Sequence, residues 1–357
     1  MIWAVVMAGG KGTRFWPKSR LRTPKQLQRI VSNKTMIAQA LGRLSPIVPP
    51  SRVIVVTHRD QFKAARRCLP KVPKSNFIIE AVGRNTAPCI LVASLWIKKK
   101  DPDALTVVLP ADHIIQNKKE FQKDLRAAVS FAKQRGAHIT FGIKPNSANT
   151  GYGYIERARR VSCQKGVNIY KVKKFTEKPI LRRAEQFVKS GRYYWNSGMF
   201  VWSCDTIIES YRKHLPRIYR ALKGYEDVIS GFLRAKFIKR AYRKIPSVSV
   251  DYGIMERTRS AFVLQAMFDW SDVGSWRELE NLWPKDKNKN ACRGRVIAFD
   301  SKNNILFSDK RLVASVGLKD MIVVETDDAV LVCPKSCAQD VKHLVELMAR
   351  KRMDNYL

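Results

Sequence analysis

The first half of the chain alternates short apolar, β-rich runs with helical patterns, and this alternation restricts the fold more than any other feature. Five strand-like runs cover residues 2–7, 53–57, 77–79, 106–109 and 139–142. Helical patterns lie between them, near residues 35–44, 60–68, 86–99 and 118–135. Buried strands separated by helices indicate right-handed crossovers. The sequence therefore predicts an α/β fold with a doubly wound, mostly parallel, Rossmann-like sheet.

The second half of the chain mixes strands and helices less regularly. Strands are predicted at 169–175, 198–202 and 261–267, and helices at 181–190, 204–213, 217–229 and 251–258. From 295 to 333, short β-runs are broken by turn-forming Asn and Asp residues, and a last amphipathic helix covers 338–352. We expect a large domain over residues 1–288 and a small β-rich, solenoid-like domain over 289–357 that packs closely on it.

Positive charge dominates the composition, with 67 Lys and Arg residues against 30 Asp and Glu residues and a net charge of +37. Such a field attracts polyanions of every kind. The sequence has no interleaved Arg and aromatic stacking motif and no recognition helix, so we expect no nucleic-acid partner. The purpose of the charge surplus stays open.

The cysteines and the apolar runs bear on location. The seven cysteines form no CxxC pair, and no apolar run approaches 18 residues, the length typical of a membrane span. Unpaired thiols are typical of a reducing compartment. We expect a cytoplasmic protein with no membrane contact, and we leave a homodimer open.

A glycine-rich string follows the first predicted strand. It reads GGKGTRFWP from residue 9 and continues as TPKQ from residue 23. Glycines let backbone N–H groups approach a polyphosphate, and Lys11, Arg14 and Lys25 supply the matching charge. The string is neither a Walker A motif nor a G-x-G-x-x-G fingerprint. It indicates a phosphate-binding loop of another kind, with a tight turn and solvated cations as the alternative.

Two aspartates are candidates for a metal site. Asp112 and Asp272 each follow a strand-like run, and Mg²⁺ prefers one or two carboxylates completed by phosphate oxygens and waters. A lone Asp after a strand is more often a helix N-cap or a turn residue. His113 is adjacent to the first aspartate but is not assigned a role.

The string GGKGTRFWPKSRLRTPKQ resembles the signature loop of the nucleoside-diphosphate-sugar pyrophosphorylases, and its WPxSR part is similar to their mannose-1-phosphate branch. Further strings follow in the order of that branch: ExxxRNTA from residue 80, LPADH from 109, FTEKP from 175, WNSGMF from 195, VDYGIME from 250 and WSDVGSW from 270. The resemblance implies transfer of GMP from GTP to mannose 1-phosphate, giving GDP-mannose and pyrophosphate, with Mg²⁺ as cofactor.

The same resemblance implies roles for individual residues. Arg14 and Lys25 are expected to be catalytic by stabilising charge on the leaving pyrophosphate, and Asp112 and Asp272 to hold Mg²⁺. The expected nucleotide contacts are Ala8, Gly9, Gly10, Gly12, Thr13, Glu80, Asn85 and Pro110, with guanine near Glu80 and Asn85. The expected sugar-phosphate contacts are Gly151, Glu177, Lys178 and Asn196.

Structural alternatives stay open for several of these residues. Asn85 is as readily a helix N-cap as a base contact, and Asn196 could be a turn residue before Ser-Gly. Glu177 and Lys178 could form an exposed pair before a proline. Asp251 either orders the sugar pocket or caps the predicted 251–258 helix, and the cap is slightly favoured.

Three alternatives concern function. The same chemistry could act on another hexose 1-phosphate or another NTP, the fold could serve as a regulatory or binding module without catalysis, and the basic chain could bind RNA or DNA. Ala81 stands where the mannose branch often has proline, which bears on the base-binding loop. Because the sequence ends at Leu357, we expect none of the C-terminal isomerase domain that some relatives carry.

Overall fold

The alternating pattern of the first half folds as five strands connected by helices. In the computed structural model, which describes residues 1–164, 166–228 and 231–357, all nine predicted elements are confirmed to within two residues. The strands are β1 (Ile2–Ala8), β2 (Val53–His58), β3 (Phe77–Glu80), β4 (Leu105–Pro110) and β5 (His138–Ile143). The helices are α1 (Met36–Leu44), α2 (Phe62–Cys68), α3 (Thr86–Lys100) and α4 (Lys118–Arg135).

The middle of the chain adds four strands and four helices in the described ranges. They are β6 (Tyr154–Gln164), β7 (Val167–Thr176), α5 (Leu181–Ser190), β8 (Tyr193–Ser203), α6 (Cys204–His214), α7 (Pro216–Leu222), α8 (Gly231–Tyr242) and β9 (Ala261–Gln265). The sequence did not predict β6 or α8. The outer part of β6 is exposed and arginine-rich, so it lacks the alternation of apolar residues that marks a strand.

Two predicted helices are wrong in extent or type. The predicted helix 217–229 ends at Leu222, and Gly224 adopts the left-handed conformation (φ 90°) that stops a helix; residue 229 lies outside the described residues. The predicted helix 251–258 is instead a single π-helical turn, Asp251–Met255.

These strands form one nine-stranded sheet in the order β3-β2-β1-β4-β8-β5-β9-β7-β6. Strands β1 to β4 are parallel to one another, and β5 pairs parallel with β9. Only β7 and β8 run against the common direction in the described sheet. The prediction of a mostly parallel, doubly wound sheet is therefore confirmed.

Both faces of the sheet are covered, which explains the uninterrupted apolar runs. Alternate residues of β1 point to opposite faces: Ala4 and Val6 pack with α1 and α4, whereas Trp3 and Val5 pack with α3 and α6. Because β1 and β4 are parallel neighbours, with Met7 in register with Pro110, the loops that follow them share one edge. Ligands of such sheets bind at that edge.

The C-terminal region is β-rich, as predicted. Its elements are β10 (Ala291–Arg293), β11 (Val296–Phe299), β12 (Ile305–Ser308), β13 (Val313–Val316), β14 (Met321–Glu325), β15 (Val330–Pro334) and α9 (Val341–Arg350). Strands β10, β12 and β14 stack in parallel, as do β11 and β13, which is the pattern of successive solenoid turns. We call residues 291–357 the β-rich unit. No helix in the described ranges combines the length and apolarity needed to cross a bilayer.

Candidate active site

The glycine loop, residues 9–14, leaves β1 at the ligand-binding edge of the sheet. Gly12 adopts a left-handed conformation (φ 61°), and a Cβ there would lie 2.6 Å from the Lys25 Cβ. Both the backbone angle and the close contact therefore require glycine. At Gly10 a Cβ would meet nothing within 4 Å, so this part of the loop is open toward the cleft. Thr13 begins a 3-10 turn, and its carbonyl accepts from the Trp16 N–H at 3.1 Å.

Arg14 and Lys25, the two predicted catalytic cations, lie in opposite environments. Arg14 is exposed, and within the described residues its guanidinium has no hydrogen-bond or ion-pair partner. Lys25 is 5% exposed. Its Nζ donates to the carbonyl oxygens of Asp272 (2.7 Å) and Val273 (3.1 Å) and pairs with Asp112 Oδ2 at 2.8 Å. These contacts use all three N–H donors of the ammonium, so Lys25 joins the two aspartate segments in this structure.

Asp112 and Asp272 are brought together, as the metal prediction requires. The segments that carry them are connected by a two-hydrogen-bond bridge between Ile114 and Ser271, with N···O distances of 2.8 and 3.1 Å. The Tyr152 hydroxyl donates to Asp272 Oδ1 at 2.6 Å. Burial pushes the pKa of Asp112 upward, but the Lys25 ammonium and the neighbouring His113 together outweigh burial and leave the pKa below its usual value. Asp112 is therefore an ionised carboxylate at neutral pH.

The donor set of this site fits Mg²⁺. The Asp112 carboxylate and the main-chain carbonyl of Asp272 both contact the Lys25 ammonium. Asp272 Oδ2 accepts no hydrogen bond from the residues described. The described part of the chain holds no cluster of three or more His, Cys, Asp and Glu side chains suited to a metal. A metal here would take two protein carboxylates and complete its shell with phosphate oxygens and waters, which is the usual arrangement for Mg²⁺ in nucleotide sites.

Glu80 lies beside the glycine loop at the end of β3. Its side chain is 6% exposed, and its Oε1 has no hydrogen-bond partner in the described structure. A Cβ on Gly9 would lie 3.4 Å from Glu80 Oε2, so the carboxylate faces the start of the loop. Burial raises the pKa of Glu80 to about 7, with the neighbouring Tyr242 hydroxyl opposing the rise. The Tyr242 hydroxyl is the nearby protein donor, and it too makes no hydrogen bond of good geometry in the described structure. The carboxylate therefore keeps acceptor capacity suited to a ligand that donates.

The remaining predicted nucleotide contacts are spread along the same edge of the sheet, after β3, β1 and β4. Asn85 caps α3, with its side chain accepting from the Thr86 N–H at 2.8 Å, so the N-cap interpretation is confirmed. Asn85 is exposed and has φ 66°, a conformation that asparagine tolerates better than most residues. The Ala8 carbonyl accepts from Gln26 Nε2 at 3.0 Å. Pro110 lies 3.8 Å from the position of a Cβ on Gly198.

A second polar cluster surrounds Asn196 on β8. Asn196 Nδ2 donates to Asp251 Oδ1 at 2.7 Å, and Asn196 Oδ1 accepts from the Thr140 hydroxyl at 3.1 Å. Asp251 makes no capping hydrogen bond, so the favoured cap interpretation is wrong and the alternative, an ordering role in this cluster, fits its contact. Burial raises the pKa of Asp251, and the Glu177 carboxylate adds to the rise.

Glu177 and Lys178 adjoin this cluster, but Gly151 does not contact it. A Cβ on Gly153 would lie 2.3 Å from Glu177 Oε2 and 3.5 Å from the Asn196 Cβ. Gly151 is exposed, and its N–H donates to Asn149 Oδ1 at 2.8 Å. The glycine that borders the cluster is therefore Gly153. Lys178 Nζ pairs with Glu177 Oε1 at 3.1 Å and is largely exposed.

Sequence reasoning missed three residues of the site. Tyr152 and Gly153 stand in the string GYG from residue 151, whose second glycine is the signal that could have indicated a close approach. Glu278 is a third carboxylate near Asp272: it accepts from the Ser271 hydroxyl at 3.1 Å, and burial together with the Asp272 charge raises its pKa. No motif marks it, because it lies in an ordinary 3-10 helix.

Comparison with known proteins identifies the family to which this chain belongs. The model of the nucleotidyl transferase family matches residues 3–289. The chain belongs to that family. A second model, described as a MannoseP isomerase/GMP-like beta-helix domain, matches residues 294–348. The family resemblance predicted from the sequence strings is thereby confirmed. Nucleotidyl transferases move a nucleotide from an NTP to a sugar phosphate and generally use a divalent metal.

Relatives support a narrower grouping within the nucleotidyl transferase family. The mannose-1-phosphate guanylyltransferase 2 of Escherichia coli O157:H7 is 37% identical over 100% of this chain and 75% of its own length. The mannose-1-phosphate guanylyltransferase of E. coli K12 is 38% identical over 97% of this chain and 73% of its own length.

Two solved structures are similar to this chain over most of its length. A Thermus thermophilus protein named mannose-1-phosphate geranyltransferase superposes with a TM-score of 0.88 at 32% identity, over 98% of this chain and 99% of that one. Mannose-6-phosphate isomerase from Helicobacter pylori, at 24% identity over 76% of this chain and 99% of its own, has a TM-score of 0.61 and shares the fold.

Proposed function

We propose that this nucleotidyl transferase is a mannose-1-phosphate guanylyltransferase, which transfers GMP from GTP to α-D-mannose 1-phosphate and releases pyrophosphate. One observation carries the proposal: Lys25 contacts the Asp112 carboxylate, the main-chain carbonyl of Asp272 and the Gly12 turn. Lys25 therefore connects the two segments that carry the aspartates to a glycine loop whose Arg14 has no partner among the described residues. Relatives named for this activity, 37% and 38% identical over nearly the whole chain, support the choice of substrates.

The reaction needs positioning and charge neutralisation rather than a protein nucleophile. A phosphate oxygen of mannose 1-phosphate forms a bond to the α-phosphorus of GTP while the bond from that phosphorus to pyrophosphate breaks. The attacking phosphate is already ionised at neutral pH, so no general base is required. Mg²⁺ held by Asp112 and Asp272 would supply charge that offsets the repulsion between the two anionic substrates.

The chain's own cations and polar groups divide the remaining work. Arg14, which is free to reach into the cleft, would bind the β- and γ-phosphates and stabilise the leaving pyrophosphate. Lys25 would hold the two aspartates in place, and its predicted contact with phosphate stays a prediction. Lys178 would bind the phosphate of the sugar, and Glu177 and Asn196 its hydroxyls.

Glu80 supports guanine as the base. The Watson–Crick edge of guanine carries two adjacent N–H donors, at N1 and at the exocyclic amine, and a carboxylate has two adjacent acceptors. Adenine and cytosine each offer an acceptor at the matching ring nitrogen, which a carboxylate repels. The unpartnered Glu80 Oε1 beside Gly9 thus favours GTP, and the Asn85 amide could bind the same base.

A matrix of the four NTPs against several sugar 1-phosphates, with and without Mg²⁺, tests this proposal. GTP with mannose 1-phosphate should release pyrophosphate with the highest kcat/KM, and only with a divalent metal. A higher kcat/KM for another hexose 1-phosphate or NTP would establish the alternative specificity. An absence of pyrophosphate release for every pair would contradict catalysis and favour a binding module.

The domain boundaries, the cytoplasmic location and the homodimer belong to the same proposal. We propose a catalytic domain over 1–288 and a second domain over 289–357, and a cytoplasmic location supported by seven free thiols.

Paired strands β11 and β13 expose Ile297 (59%), Phe299 (70%) and Val316 (73%). This uncharged apolar face on a strongly cationic chain is suited to a second copy. Phe299→Lys should convert a dimer to a monomer by light scattering.

A further inference from the structure

His113 directly follows Asp112, and its backbone is fixed from two directions. Its carbonyl oxygen accepts from Arg43 Nη2 at 2.9 Å. Arg43 is 3% exposed, so this contact comes from the interior of the protein. The next residue, Ile114, forms the two-hydrogen-bond bridge to Ser271. The imidazole of His113 therefore extends from a rigid segment.

The imidazole ring is held by the indole of Trp270. Trp270 Nε1 lies 3.2 Å from His113 Nδ1, and the two rings are nearly perpendicular, with centres 5.3 Å apart. An indole N–H can only donate, so Nδ1 must be the acceptor and carries no proton. The ring proton of this neutral imidazole is therefore on Nε2. Burial also disfavours the charged ring and lowers its pKa.

The Nε2–H group has no protein partner in the described ranges. His113 is partly exposed, and its recorded ring hydrogen bond is the one at Nδ1. Its Cε1 atom, which is bonded to Nε2, lies 4.0 Å from the position of a Cβ on Gly198. The Gly198 N–H donates to Asn196 Oδ1 at 3.2 Å. The available donor thus lies between Asp112 and the polar cluster of Asn196.

We propose that His113 Nε2–H binds the phosphate of mannose 1-phosphate, with Trp270 as the positioning residue that fixes the tautomer. This inference rests on the proposed function, in which Asp112 holds the metal and Asn196 binds sugar hydroxyls. The phosphate of mannose 1-phosphate connects the sugar to the α-phosphorus of GTP, so it lies between those two residues. Nε2–H would donate to a phosphate oxygen that does not attack, in addition to the contact from Lys178.

Two substitutions of His113 separate substrate binding from a purely structural role. His113→Asn keeps an acceptor near the position of Nδ1 for the Trp270 indole but has no donor near the position of Nε2. His113→Gln places an amide N–H near the position of Nε2 but leaves the indole without its acceptor. Substrate binding predicts that glutamine is the better replacement. A role limited to the contact with Trp270 predicts that asparagine is.

Steady-state kinetics of the two variants measures this order. In His113→Asn the KM for mannose 1-phosphate should rise about tenfold or more, as for loss of a hydrogen bond to a charged group. The KM for GTP and the Mg²⁺ titration should not change, because Asp112 and the glycine loop are untouched. His113→Gln should recover most of the affinity. An unchanged KM for mannose 1-phosphate in His113→Asn, the reverse order of the two variants, or a larger rise in the KM for GTP would overturn the inference.

Nitrogen NMR of the ligand-free protein tests the tautomer without turnover. The chain has five histidines, so ¹⁵N-histidine labelling with His113→Asn as reference identifies the His113 ring. We expect an unprotonated Nδ1 and a protonated Nε2 at neutral pH, and a proton on Nδ1 would overturn the inference. Trp270→Phe should lose this single tautomer. Trp195→Phe, the matched control, should keep it, because both indoles contact Tyr152 but the Trp195 N–H has no partner in the described structure.

The two readouts also separate this inference from the proposed function. A wild type that is inactive with GTP and mannose 1-phosphate would contradict the proposed function, and the binding role of His113 with it. An active wild type whose KM for mannose 1-phosphate is the same in His113→Asn would contradict the role of His113 alone.

Discussion

Glu80→Gln tests the base-binding site, because it should stabilise the ligand-free protein and weaken GTP binding. The Glu80 carboxylate is buried with one unpartnered oxygen, and its pKa is raised to about 7 by burial. Glutamine has the same shape and no charge, so the ligand-free protein should gain stability above pH 7. It presents one acceptor and one donor where guanine N–H groups require two acceptors. The KM for GTP should therefore rise about tenfold to a hundredfold, as for loss of a charged hydrogen bond.

The sign and size of the stability effect follow from the pKa. The folded pKa of Glu80, about 7, lies above the ordinary value of 4.5. Between these values the folded state keeps a proton that the unfolded chain has released, so stability falls as pH rises from 4.5 to 7 and is constant above. The difference of about 2.5 pKa units corresponds to about 3 kcal/mol. Glu80→Gln should remove this cost, which is absent below pH 4.5.

The assay is denaturant unfolding of ligand-free wild type and variant at pH 5 and pH 8. The stability advantage of Glu80→Gln should be small at pH 5 and about 2–3 kcal/mol larger at pH 8. Glu325 supplies a matched control: it is also buried, but its Oε2 accepts from the backbone N–H groups of Asp309 and Lys310 at 2.9 and 3.1 Å. Glu325→Gln should destabilise the protein. Equal stability differences for Glu80→Gln at both pH values would refute the reasoning.

Four further substitutions probe the rest of the site. Arg14→Ala should lower kcat about 10²-fold or more, as for loss of a preorganised charge contact; turnover near wild type would remove the assignment. Lys25→Met should lower the Mg²⁺ concentration needed for half-maximal rate, because the Asp112 carboxylate loses a competing cation at 2.8 Å; an unchanged Mg²⁺ titration would count against this. Asp112→Asn should abolish Mg²⁺-dependent activity while circular dichroism stays native. Gly153→Ala should raise the KM for mannose 1-phosphate alone, since its Cβ would approach a carboxylate oxygen to 2.3 Å, and a larger change in the KM for GTP would contradict it.

The sheet could be predicted because its signal is local and repeated. Strands buried on both faces give continuous apolar runs, and nine elements of the first half follow from that pattern and its spacing. The pattern fails where burial is one-sided or the helix is irregular. Strand β6 has an exposed, arginine-rich end, and Asp251 begins a π-helical turn whose side chain binds Asn196 instead of the helix N-terminus.

The site could be predicted only in part for a related reason. Residue types in family strings indicate which groups gather at the edge of the sheet, but they carry no information about which atoms are already satisfied. The sequence does not distinguish Gly151 from Gly153, and only the folded loop shows that Gly153 contacts Glu177. Lys25 and Arg14 are likewise both cations in one string, yet one is buried with three partners and the other is exposed.

The buried Lys25 also explains how the acidic side chains of this site are tolerated in the ligand-free protein. Asp112 pairs with its ammonium and Asp272 contacts it through the main-chain carbonyl, from positions far apart in the chain, so one positive charge lies among the acidic side chains of the site. This partial compensation lowers the cost of assembling the site, since like charges left uncompensated in a cleft repel strongly. A divalent cation held by Asp112 and Asp272 would add further positive charge, which would favour two anionic substrates. Lys25 thus organises the site in the ligand-free protein. An arginine at this position has a planar guanidinium, so it could not reproduce the three contacts of the compact ammonium.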